Sequence, residues 1–566
     1  MGTQLRSLFL LLANGATYLI NRARLAMAPV RGYVVLDIKG TYPERRPPVR
    51  SLPLRLLLRS REEMSVEVLT ERLDRIAEDP RTEGVVLRFG QLDVDLSTAD
   101  SMRRAVSRFR KSGKRAVVYF TTDMDLRNYY AASTADLIAA PESAQFVATG
   151  MSIQVQFFKD ALERWGMQAD VERMAEYKTA ASPFIEKDLT EPHREMLDSL
   201  LDSIFGSVVQ GIAQSRELDE AEVKALLDKA PHPAERAQEA KLIDAVLYED
   251  ELAGYLGKDQ GRSVELAPWR TAGQMLVQPY LPSVGGEIGV IAIRGAIVQG
   301  ESRDVPAAIP LVGGAQAGSD TVIRALRQAA RDPNIKAVVC YVESPGGSAL
   351  ASDLIWREIQ RLDARKPVVA YMGSVAGSGG YYVAVGARHI VARPQTLTGS
   401  IGVLLGKLVL GGLMKKAGIG SALLTRGRRA ALFTAERPFN DDERQAMRES
   451  LVDIYERFKA RVAGARRFSS EAVEERARGR VWTGLQALEQ GLADEIGDMQ
   501  TAVARAKVLA GIPESRRSGV VDVMAPNAPM MPLLDKANAL TGLPEHIARL
   551  NRERCWAYMP WTISVE

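Results

Sequence analysis

Tyr33-Val34-Val35-Leu36-Asp37-Ile38-Lys39-Gly40 is a short β-branched and aliphatic run closed by glycine, and it returns as Ile288-Gly289-Val290-Ile291-Ala292-Ile293-Arg294-Gly295. The likeness extends on both sides of the run. Asp79-Pro80-Arg81 before Gly84-Val85-Val86-Leu87-Arg88-Phe89 matches Asp332-Pro333-Asn334 before Ala337-Val338-Val339-Cys340-Tyr341-Val342. Lys114-Arg115-Ala116-Val117-Val118-Tyr119 matches Lys366-Pro367-Val368-Val369-Ala370-Tyr371, and Ser182-Pro183-Phe184 matches Arg437-Pro438-Phe439. The offset stays at about 250 residues throughout, which marks a duplication rather than a chance likeness. Each copy alternates β-branched runs with amphipathic stretches such as residues 321–331 and 351–362. That alternation predicts parallel strands joined by crossover helices, an α/β fold in each copy.

The chain divides accordingly. Residues 1–30 precede the first repeat, which runs over 31–273. A linker rich in glycine, proline and polar residues covers 274–287, the second repeat runs over 288–514, and an irregular tail follows over 515–566. With 566 residues and 46% hydrophobic content, two sizeable cores are possible. A net charge of +4 gives no reason to expect nucleic acid as a partner. The two cysteines, Cys340 and Cys555, exclude a disulfide framework. The histidines are His193, His232, His389 and His546, so a Ser-His pair or a histidine metal site has few candidates, and no metal or cofactor is expected.

Residues 5–27 place Leu5, Leu8, Phe9, Leu12, Ala16, Leu19, Ile20, Ala23 and Met27 along one helical face. Arg6, Asn14, Asn21, Arg22 and Arg24 interrupt it. The unbroken apolar stretch, residues 8–13, is far short of the ~20 residues a bilayer crossing needs. No small-residue cleavage site follows a compact apolar core, so a cleaved leader is not expected. The pattern predicts an amphipathic helix lying on a membrane surface, with its basic residues toward the headgroups.

The two copies differ where chemistry would reside. The second carries Glu343-Ser344-Pro345-Gly346-Gly347-Ser348 after a strand, where the first has Gly90-Gln91-Leu92-Asp93-Val94-Asp95. The second carries Thr398-Gly399-Ser400-Ile401-Gly402, where the first has Thr149-Gly150-Met151. Conversely, the first has Glu176-Tyr177-Lys178-Thr179-Ala180 before its Pro-Phe, where the second has Ala430-Ala431-Leu432-Phe433-Thr434. One copy keeps a serine and a glycine loop, the other a lysine. Ser400, with glycine on either side, offers an exposed hydroxyl and a backbone that a substrate can approach.

These motifs, with Gly377-Ser378-Gly379-Gly380-Tyr381-Tyr382 and Val481-Trp482-Thr483-Gly484, resemble signal peptide peptidase A, or protease IV, in its long duplicated bacterial form. The resemblance implies tandem Clp-protease/crotonase-like domains, a homotetramer, and a serine/lysine dyad that degrades released signal peptides and other apolar peptides. It also implies attachment at the bacterial inner membrane with the peptidase domains on the periplasmic side. Ser400 is then the nucleophile and Lys178 the general base. A lysine with its usual pKa of about 10.4 cannot accept a proton at neutral pH, so burial must favour the neutral form. Gly347 is the expected oxyanion donor, with the amide of Ile401 a second.

Ser378 is a rival nucleophile, placed between strand and helix where Clp proteases carry theirs, and His389 follows it closely enough to be considered as its base. Two other classes remain open. A crotonase-type acyl-CoA enzyme would share the alternation and the glycine loop without needing Ser400. A non-catalytic membrane scaffold would result if the lysine and the serine did not meet.

Overall fold

The computed structural model describes residues 3–27, 32–46, 64–282, 286–305, 314–513, 518–525 and 556–558. They form two compact units. The first holds the described residues of Met1–Ser152 and Ile204–Val284, the second those of Ile153–Ser203 and Gly285–Ile563.

In the first unit six strands pair in the order Ala245–Val246, Leu137–Ala140, Arg115–Phe120, Thr82–Asp93, Gly32–Thr41, Glu265–Pro268, all parallel. Val85, Val86 and Leu87 are buried in succession, as expected of a central parallel strand covered on both faces. The helices Val66–Glu78 and Leu96–Arg110 begin at Ser65 and Asp95, whose side chains accept from the amides of Val68 and Thr98.

Six strands of the eight-stranded sheet in the second unit repeat this order, Glu495–Ile496, His389–Ala392, Val368–Gly377, Ile335–Ser344, Glu287–Arg294, Val520–Asp522, again parallel, while Leu397–Gly399 pairs parallel with the end of Val368–Gly377 and antiparallel with Val481–Trp482. The repeat reaches individual side chains. The hydroxyls of Tyr129 and Tyr381 donate to the carbonyls of Leu242 and Leu492. Asp244 accepts from the Ile138 amide and Arg216, as Asp494 does from Ile390 and Arg466. Lys114 donates to the carbonyls of Ile76 and Asp79, and Lys366 to those of Ala329 and Asp332. In both copies a lysine thus bonds carbonyls at a helix end.

The second unit also holds a seven-stranded sheet in the order Arg303–Val305, Gly314–Gly318, Ala296–Val298, Gly346–Ser348, Trp556–Tyr558, Leu404–Val409, Gln168–Arg173. Here the structure departs from a division in chain order. Residues 153–203, which carry Lys178, belong to the second unit rather than to the repeat in which they occur. The reason is a long-range antiparallel ladder that runs from Leu404↔Arg173 to Val409↔Gln168. The ladder is reinforced by Arg444 on Asp170 and Arg448 on Glu172. Nor is the tail wholly irregular: Val520–Asp522 and Trp556–Tyr558 each extend a sheet.

The N-terminal segment forms the helix Thr3–Met27, and part of its polar side bonds the linker. The carboxamides of Asn14 and Asn21 each bond an amide and a carbonyl of the linker, at Leu281 and Gln278, and Arg24 donates to Leu276. Phe9, Leu11, Leu12, Leu19 and Ile20 are left exposed. Among the described residues the helix long and apolar enough to cross a membrane is Glu191–Arg216, and half of its most apolar stretch is buried, as in a core helix.

Candidate active site

The groups singled out in the sequence converge within the second unit. The strand Val368–Gly377 ends at Ser378, which caps the helix Gly379–Ala384. Ser378 has φ 53° and ψ −114°, a conformation that costs a residue with a side chain of order 1–3 kcal/mol. It is held there by hydrogen bonds from its amide to the Gly399 carbonyl, 2.8 Å, and from the Tyr382 amide to its own carbonyl, 2.8 Å. Ser378 is completely buried.

Lys178 is 1% exposed. Its Nζ donates to Ser378 Oγ at 2.7 Å, to Ser400 Oγ at 3.0 Å and to the Ser400 carbonyl at 3.0 Å. The lysine and the expected nucleophile therefore meet within one chain, and the rival serine is in the same cluster. Main-chain bonds from the Met174 amide to Val403 and from the Tyr177 amide to Arg478 fix the segment that delivers the lysine. Two glycines make room for it. A Cβ on Gly479 would lie 2.5 Å from the Lys178 amide nitrogen, and one on Gly402 would lie 3.3 Å from Lys178 Cδ. Gly479 also has φ 77°, where alanine would be strained by about 1–2 kcal/mol before any clash. The sequence offered a faint sign of this, since Gly479 comes just before the quoted Val481-Trp482-Thr483-Gly484.

Gly347, with φ 153°, lies so close to the strand Ala296–Val298 that a Cβ would meet the Ile297 carbonyl oxygen at 2.0 Å. On its other side a Cβ on Gly379 would be 3.1 Å from the Gly347 amide nitrogen. The glycine loop thus borders the residue that follows Ser378. The small residues after Ser378 pack closely: a Cβ on Gly380 would press within 2.5 Å of the Ser344 carbonyl. Ser348 caps the next helix, its Oγ accepting from the Ala351 amide. Ile401 is buried in the core, its carbonyl accepting from Gly479. Ser400, with φ 51°, donates its amide to the Arg480 carbonyl at 2.7 Å.

His389 is not near this cluster; its Nε2 pairs with Glu495 at 3.0 Å. His193 is fully buried, and desolvation, with Arg173 nearby, pushes its imidazole down to about 4. Sequence reasoning missed a brace behind Ser378. The Glu343 carboxylate accepts from the amides of Ser374 and Val375, and the buried Arg393 donates to Ser374 Oγ. Among the described residues no group of histidine, cysteine and carboxylate side chains could hold a metal ion.

The profile of peptidase family S49 matches residues 108–261 and again 360–513, once in each repeat. The chain is 32% identical to "Serine protease SPPA, chloroplastic" of Arabidopsis thaliana over 83% of its own length and 69% of that protein's. It is 29% identical to "Protease 4" of Haemophilus influenzae over 77% and 72% of the two chains. It is 30% identical to "Protease 4" of Salmonella typhi over 85% and 78%. The chain, whose two repeats each build a parallel α/β sheet, is a serine peptidase and belongs to peptidase family S49.

Proposed function

We propose that the chain is a serine/lysine dyad peptidase in which Ser378, rather than Ser400, is the nucleophile, and Lys178 is the general base. The observation that carries this reading is Lys178 Nζ, buried and within hydrogen-bond reach of both hydroxyls. Three features favour Ser378. It is nearer to Nζ, it occupies a strained strand-to-helix turn, and it adjoins the glycine loop. Ser400 offers Nζ both its hydroxyl and its carbonyl, which suits a residue that orients the lysine.

In this mechanism neutral Lys178 takes the proton from Ser378 Oγ as the oxygen bonds the substrate carbonyl carbon. The resulting oxyanion is met by the Gly347 amide. Ile401 was a donor matched to attack by Ser400. With attack from Ser378, the Gly379 amide, next to the attacking residue and beside Gly347, takes its place. The lysine passes its proton to the leaving amine and then deprotonates the water that releases the acyl group.

The substrates are signal peptides and other apolar peptides, cut at the periplasmic face of a bacterial inner membrane by a homotetramer. The outward apolar face of Thr3–Met27 supports work at a membrane surface. The test is fluorophosphonate labelling followed by peptide mapping. The adduct is expected on Ser378, and Ser378→Ala should abolish labelling and peptide hydrolysis. An adduct on Ser400 would return the nucleophile to that residue, and no adduct on either would end the peptidase mechanism.

A further inference from the structure

The strand Val368–Gly377, which delivers Ser378, does not run evenly beside its neighbour Ile335–Ser344. The two pair from Val338↔Val368 to Val342↔Met372, and pairing resumes only at Ser344↔Ala376. Glu343 therefore faces Gly373, Ser374 and Val375 together, in a β-bulge. The Glu343 carboxylate takes the place of the interrupted ladder. Its oxygens accept from the amides of Ser374 at 2.9 Å and Val375 at 3.1 Å. A Cβ on Gly373 would collide with that carboxylate. At the end of the bulge the strand gains a new partner, from Val375↔Leu397 to Gly377↔Gly399, and then reaches Ser378.

Arg393 holds the bulge from behind. It is buried, its guanidinium lies 3.8 Å from the Glu343 carboxylate, and it donates to Ser374 Oγ at 3.1 Å. It also lies over the Tyr371 ring, 5.8 Å from its centre. The Thr396 hydroxyl accepts from the Arg393 amide at 2.9 Å and donates to the Gly373 carbonyl at 2.7 Å. The main chain of Glu343, meanwhile, leads directly into Ser344-Pro345-Gly346-Gly347, and its carbonyl accepts from the Gly295 amide at 2.8 Å. One residue thus ties the strand that ends at Ser378 to the root of the glycine loop.

The first copy has the same frame without this device. Its strands Thr82–Asp93 and Arg115–Phe120 pair from Gly84↔Arg115 to Phe89↔Phe120 with no shift of register. Gly90 stands there for Glu343, Pro141 for Arg393 and Leu126 for Ser378. The helix that begins at Leu126 is capped by Asp125 in an ordinary extended conformation, φ −76° and ψ 171°. The bulge, the carboxylate and the strained serine therefore occur together, in one copy. We propose that Glu343 is a positioning residue for peptide hydrolysis: its carboxylate, held by Arg393, fixes the bulge that sets Ser378 Oγ against Lys178 and the Gly347 amide. The inference rests on the reading of Ser378 as nucleophile, and deepens it. Glutamine cannot do the same work, because its carboxamide has one acceptor atom and turns a donor toward the second amide. It also leaves the buried charge of Arg393 without its counterion.

The test is Glu343→Gln in the full chain, with folding checked by circular dichroism. Fluorophosphonate labelling of Ser378, followed by peptide mapping, should slow about 10- to 100-fold, as expected when a reacting atom is displaced by about 1 Å. On a peptide rich in leucine and alanine, kcat should fall by a like factor while KM stays within about twofold, since the change acts on the nucleophile and not on substrate binding. Should Glu343→Gln fail to fold, Ser374→Ala removes only the hydroxyl that Arg393 bonds, and it should slow labelling several-fold with KM again unchanged. Labelling of Ser378 at the parental rate in a folded variant, or a rise in KM that accounts for the whole loss, would overturn the proposal. An adduct on Ser400 in the parental chain would instead overturn the reading of Ser378 on which the proposal stands.

Discussion

Lys178 reaches two serine hydroxyls and a carbonyl through one nitrogen, and each contact asks something different of its protonation state. As an ammonium it can donate to all three; to serve as the base proposed above it must give up a proton and accept one from a serine. A lysine can take a proton only when it is neutral, so activity should rise with pH as Lys178 loses its proton. Lys178→Arg should be as inactive as Lys178→Ala, each losing roughly 10²–10⁴-fold, because guanidinium keeps its proton at any workable pH. The measurement is peptide hydrolysis across a pH series, with folding of each variant checked by circular dichroism. An arginine variant with near-parental turnover would reduce Lys178 to a fixed positive charge. At this scale the sequence named the lysine and both serines but ranked the serines by their flanking glycines. The proposed preference for Ser378 rests on backbone angles and on which hydroxyl borders the glycine loop, and neither is written in local composition.

At the scale of elements, the helix Thr3–Met27 keeps exposed the apolar face that its spacing announced. On its other side Asn14 and Asn21 fasten the helix to residues 276–281 through paired carboxamide bonds, and Arg24 joins them. Unpaired linker amides and carbonyls would be costly beside a helix, which is why the polar side is drawn inward. The exposed residues are then mostly apolar, with Arg22 among them, and membrane binding by them should depend little on salt. Changing Leu12, Leu19 and Ile20 to serine should release the chain from lipid vesicles, since each such side chain contributes roughly 1.5–3 kcal/mol when fully buried. Raising salt to about 1 M, where screening extends only ~3 Å, should leave most of the parental binding intact. Vesicle flotation checks both. Release by salt alone would mean that the arginines carry the attachment.

At the scale of the whole molecule, the second unit cannot be completed from its own repeat. It borrows residues 153–203, which bring both the strand Gln168–Arg173 and Lys178. A chain of residues 285–566 alone should be inactive, and co-expression with residues 1–284 should restore hydrolysis as the ladder to Leu404–Val409 re-forms. Activity in the isolated second part would show that another group serves as base. The sequence by itself determined the duplication, the parallel α/β architecture and its strand segments, because the alternation of β-branched runs with amphipathic stretches repeats at a constant offset and each run pairs within its own copy. It also determined the short set of residues from which the site is built, because a glycine loop, a serine and a lysine are kept in complementary copies. Only the tertiary structure decided that the lysine segment crosses into the second unit, that Ser378 shares the lysine with Ser400, and that three residues near the end of the chain occupy the sheet beside Gly347. Those outcomes depend on antiparallel pairings between distant segments. A ladder is made of main-chain amides and carbonyls common to every residue, so its partner is chosen by three-dimensional proximity and leaves little trace in the sequence.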